Sequence, residues 1–104
     1  MSRGPDVSTL LERALLASAG SAGCTLAIAR SEMERWASVT FAGARHRIAL
    51  TGQAAPALNR WIVALPEAEL ALRGHLVADL TIERRTRTGA IVTLEIEVLT
   101  VEAR

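Results

Sequence analysis

Residues 75–101, HLVADLTIERRTRTGAIVTLEIEVLTV, alternate apolar and polar side chains on both sides of Arg87, Thr88 and Gly89. A period of two belongs to a β-strand with one buried face. The segment therefore predicts two long antiparallel strands, 75–85 and 90–101, around a three-residue loop in which Gly89 takes the left-handed position. Pairing Thr86 with Ala90 sets Ile82 against Leu94, Leu80 against Ile96 and Ala78 against Val98. A slip of one residue would mix Asp79 and Glu83 into that apolar set, which is what selects the register. The opposite face then places Asp79 across from Glu97, Thr81 from Glu95, Val77 from Leu99 and His75 from Val101.

Upstream, the spacing of Leu58, Trp61, Ile62 and Leu65 predicts a helix over 54–65, with Pro56 near its start and Pro66 ending it. The stretch 67–73 fits either a further helical turn or a short extended arm. Three more strands are expected before that helix: 25–29 around Leu26 and Ile28, 37–41 around Ala37, Val39 and Phe41, and 46–50. Gly43 and Ala44 suit a two-residue hairpin that pairs Phe41 with His46, Val39 with Ile48 and Ala37 with Leu50. Leu10, Leu11, Ala14, Leu15 and Ser18 mark a first helix over 7–19, with capping-box spacing at Thr9 and Glu12 and Gly20 at its end. Residues 1–5 read as an N-terminal arm. The expectation is one α+β domain over 1–104, in the order α-β-β-β-α-β-β, with both helices on one face of a mostly antiparallel five-stranded sheet. Strand order across the second helix stays open.

Of the 104 residues half are hydrophobic and 22% charged, with a formal net charge of +1. That composition excludes a mostly disordered chain and supplies no global field toward polyanions or anionic membranes. All twelve basic residues are Arg, a bias expected of a GC-rich bacterial genome, and 3% aromatic content leaves few platforms for stacking nucleic-acid bases. The single Cys24 forms no internal disulfide and, with only His46 and His75, no closed zinc site. No cofactor or metal is expected, and a reducing, cytoplasmic location fits. Glu12 and Arg13 interrupt the apolar run 10–19, which argues against export and against a membrane span.

Two carboxylates directly across a strand pair repel unless an arginine, a cation or a bound proton intervenes. Arg45 and Arg47 are the natural neutralising residues for Asp79 and Glu97. The alternative makes the open face a small-ligand or acid/base site built from Trp36, Arg47, His75, Asp79 and Glu97. No nucleophile elbow or glycine-rich phosphate loop accompanies it, so catalysis is not expected. His46 reads as a partly buried rim residue and Cys24 as a small buried hydrophobe. Arg84, Arg85 and Arg87 form a basic tip for a nucleic-acid reading, opposed by Glu83, Glu95 and Glu97. An apolar end of Trp36, Val77, Leu99 and Val101 points to contact with a second copy of the chain. The leading expectation is a homodimeric interaction or structural module without catalysis.

Overall fold

The computed structural model describes residues 6–103, so the expected arm at 1–5 lies outside the described residues. Helix α1, Val7–Ser21, starts at Asp6, whose extended backbone and carboxylate form the cap by accepting from the Thr9 amide at 3.0 Å. Its buried side chains, Val7, Leu11, Leu15 and Ala19, recur every four residues and so form one stripe. Strands β1, Leu26–Ala37, and β2, Ala42–Gln53, form a hairpin, followed by helix α2, Pro56–Ala64, and a 3-10 turn, Leu65–Glu67. Strands β3, His75–Thr88, and β4, Ile91–Glu102, form a second hairpin. The sheet is antiparallel throughout, in the order β1-β2-β4-β3.

Among the described residues the sheet thus has four strands, not the five expected, and the element order is α-β-β-α-β-β. The expected strands 25–29 and 37–41 are not separate elements. The charged stretch between them continues the first as one edge strand, because one side of that strand faces water and tolerates charge. The chain reverses at 38–41 instead of at Gly43 and Ala44. Ser38 closes that turn: its amide donates to the Phe41 carbonyl at 2.7 Å, and its hydroxyl accepts from the Phe41 amide at 3.1 Å. Ala37 therefore pairs with Ala42, Met33 with His46, Ser31 with Ile48 and Ile28 with Leu50. Val39 and Phe41, which alternation assigned to a buried strand face, sit in the tip.

The second hairpin is tighter than expected. Thr88 pairs with Ile91, leaving only Gly89 and Ala90 in the turn, and Gly89 has φ +62° at the first of these positions, where a glycine is wanted. Ile82 faces Ile96 and Leu80 faces Val98, while two bulges insert Ala78 and Glu83 into β3. Each bulge inverts the side to which the following side chains point. Asp79 consequently lies across from Leu99, and Glu97 across from Thr81, so the expected direct carboxylate pair does not form.

The core lies between the helices and the even-numbered side chains of β2 and β4, including Ile48, Leu50, Leu94, Ile96 and Val98, together with Leu80. Leu58, Trp61 and Ile62 of α2 close it alongside the α1 stripe. The Trp61 Nε1 donates to the Ser18 hydroxyl at 3.0 Å, satisfying the indole where the two helices meet.

Candidate functional site

The pairings arrange the uncovered face of the sheet in rows that cross all four strands. Trp36, Gly43, Val101 and Leu76 form the row at one end. Glu34, Arg45, Leu99 and Asp79 come next, then Glu32, Arg47, Glu97 and Thr81, then Arg30, Ala49, Glu95 and Arg84. The interior rows carry alternating charge. Glu97 takes Arg47 at 3.4 Å and Arg45 at 3.7 Å, and Glu95 takes Arg30 at 3.5 Å. Asp79 accepts from the Thr81 hydroxyl at 3.3 Å. Arginines of the same chain thus neutralise Glu97, although the Asp79 contact that called for them does not form. The pairs are solvent-exposed, so they set charge pattern more than stability.

The end row is apolar. A Cβ on Gly43 would collide with the Thr100 carbonyl and with the Trp36 indole, so the bare backbone of Gly43 is what lets the indole lie flat on the sheet. Leu76 is 62% exposed beside it, and the adjoining tip holds Phe41 at 53% and Val39 with no burial at all.

Of the five residues expected in a ligand site, Arg47 and Glu97 are in contact and Asp79 shares their face. Trp36 lies in the end row, four residues along β2 from Arg47's position, or roughly 13 Å. His75 does not join them: the bulge at Ala78 turns His75 and Val77 to the helix side, and Leu76 stands on the open face in place of Val77. Leu99 and Val101 lie on the open face as expected. The arginines of the second hairpin are divided too. Arg84 faces Glu95, Arg85 reaches the Asn59 side chain of α2, and Arg87 Nε donates to the Gly89 carbonyl at 2.8 Å. Among the described residues, no three His, Cys, Asp or Glu gather where they would hold a metal ion.

Beneath the sheet, His46 is fully buried instead of lying at the rim. Its Nε2 lies 3.0 Å from the Thr100 hydroxyl, which itself donates to the Ala44 carbonyl at 3.4 Å. The hydroxyl therefore accepts from His46, assigning the proton to Nε2 and leaving Nδ1 bare, with no hydrogen-bond partner. Burial, and secondarily the neighbouring His75, holds the imidazole below its ordinary pKa of 6.5.

At the far end of the first hairpin lies a cleft of about 500 Å³, lined by Cys24, Leu26, Gly52, Ala55, Leu58 and Ile91 among others. Neither the cleft nor the exposed tip was anticipated. Their signal in the sequence is the lack of charge: 14–29, 36–44 and 48–59 contain no Asp, Glu, Lys or Arg. The second of these runs folds into the apolar end, and the other two supply most of the cleft walls.

These features define a two-layer α+β module with one open sheet face, an apolar row beside the β1–β2 tip and an uncharged cleft at the other end of that hairpin. The chain matches no family model and no curated protein. Among solved structures, a chain of the virion of a native gene transfer agent particle has the same fold, with a TM-score of 0.55 at 20% identity over 97% of this chain and 88% of that one. No helix among the described residues is long and apolar enough to cross a membrane.

Proposed function

We propose that this chain is a non-catalytic structural subunit that works by associating into a larger assembly, with its apolar end as the contact. The observation that carries the reading is the row Trp36, Gly43, Val101 and Leu76 beside the exposed Val39 and Phe41. A contiguous apolar surface of this kind, bordered by the charged row of Glu34, Arg45 and Asp79, is what a protein contact requires. The likeness in fold, over nearly the whole chain, to a chain of a gene transfer agent virion supports the same reading. The smallest product is a homodimer using Trp36, Leu99 and Val101, formed in a bacterial cytoplasm.

Light scattering across a hundredfold dilution tests this. The wild type should exceed the monomer mass at the concentrated end and lose mass on dilution. Leu76→Ser, at a site too exposed to disturb folding, should move the transition toward higher concentration. A wild type that stays monomeric throughout refutes the proposal.

A further inference from the structure

The β1–β2 tip and the cleft at the other end of that hairpin are complementary in form. One projects two large apolar side chains, and the other is a recess with no charged residue in its lining. They lie at opposite ends of the same hairpin, separated by the length of a twelve-residue strand, roughly 35 Å, in a molecule 46 Å long. We infer that the β1–β2 tip of one copy, through Phe41 and Val39, seats in the cleft formed by Cys24, Leu26, Gly52, Ala55, Leu58 and Ile91 of a second copy. The inference rests on the associative reading above and names its partner surface.

Three observations favour a second copy as the occupant. First, charge matches. The segment 36–44 is free of charged residues, and so is the whole lining of the cleft, in a chain where 22% of residues are charged. A partner carrying charge at its contact would leave that charge desolvated and unpaired. Second, size matches. A space of about 500 Å³ accommodates an aromatic and an aliphatic side chain, and the Leu26 side chain lies over the bare Gly52 in its wall. Third, the tip is preorganised. The Ser38 amide and hydroxyl already bind Phe41 at both its amide and its carbonyl, at 2.7 to 3.2 Å, so little backbone order remains to be gained on docking.

A tip-to-cleft joint uses different surfaces on the two copies. Each added copy presents a fresh tip or a fresh cleft, so the joint propagates to a closed ring or a filament and does not stop at two. A single joint buries less surface than a standard stable interface, and closure, which gives each copy two joints, is what makes the assembly hold.

The test uses paired variants of the full chain. Phe41→Ser removes the tip. Ala55→Asp puts a charge at the mouth of the cleft, at the N-cap of α2, where Asp favours the helix and so preserves the fold. Each alone should weaken association on the order of tenfold or more. Mixed in equal amounts, they should form a single-joint heterodimer that is weaker than the wild-type assembly, seen at the concentrated end, and nothing larger, since one intact tip and one intact cleft remain. Independently, Phe41→Cys under oxidising conditions should give a ladder of disulfide-linked multimers through Cys24, lost in the Phe41→Cys, Cys24→Ser double variant. Association of the wild type that neither variant weakens overturns this joint while leaving the associative reading intact. So does a disulfide dimer that survives Cys24→Ser, which would show two tips meeting. A wild type that remains monomeric overturns both.

Discussion

Acidification should destabilise this protein through His46 before its carboxylates matter. The folded chain holds His46 below 6.5 because a second proton would sit on Nδ1, in the core, with no acceptor and with His75 nearby. Asp6 and Glu12 of α1 exert the opposite pull, and burial outweighs them. The unfolded chain takes up that proton near 6.5, so below this value it binds more protons than the folded chain. Stability therefore falls as pH drops through the window beneath 6.5, and levels off once the folded group also titrates. One proton limits the slope to about 1.4 kcal/mol per pH unit, a large fraction of the roughly 5–15 kcal/mol that holds a domain together. With a urea dependence of about 1–2 kcal/mol per molar, the unfolding midpoint should drop by at most about 0.7–1.4 M per pH unit. Trp61, buried between the layers, reports the transition by fluorescence. His46→Leu should flatten the profile between about pH 5 and 6.5. An unchanged wild-type midpoint across that window, or a slope that persists in His46→Leu and disappears in His75→Leu, would refute the argument.

Gly43→Ala should destabilise by about 2–3 kcal/mol, seen as a lowered thermal midpoint, because the new methyl meets the Thr100 carbonyl of an adjacent strand. Adding Trp36→Ala should not restore it, since the carbonyl clash remains. Asp6→Ala should cost about 1 kcal/mol in chemical denaturation through loss of the α1 cap. The Thr9 amide holds the Asp6 carboxyl below 3.8, so this difference should be full above that pH and vanish in stronger acid. Glu97→Gln should change stability by less than about 1 kcal/mol, and the difference should shrink in high salt, because its arginine partners are exposed.

Local periodicity was enough to place both helices, the two strands of the second hairpin though not their register, and the inward direction of Leu80, Ile82, Leu94, Ile96 and Val98. Those features depend on neighbours three, four or two residues apart, and the chain carries them wherever it folds. The strand count did not follow, because Val39 and Phe41 alternate with polar residues just as a half-buried strand does. Only the Ser38 turn, and the pairing of β2 with β4, put them at an exposed tip. Nor could alternation reveal the bulges at Ala78 and Glu83, which arise where β3 is fitted to β4. Those two extra residues decide that Asp79 meets Leu99, that His75 goes under the helices beside His46, and that Leu76 takes the outer position expected of Val77. The apolar row itself joins residues 36, 43, 101 and 76, and the cleft joins 24, 52 and 91. Side chains so far apart in the chain become neighbours only when the two hairpins pair through β2 and β4, so these surfaces belong to the tertiary fold. What the sequence held on its own was the absence of charge from 14–29, 36–44 and 48–59, the segments that supply most of these residues.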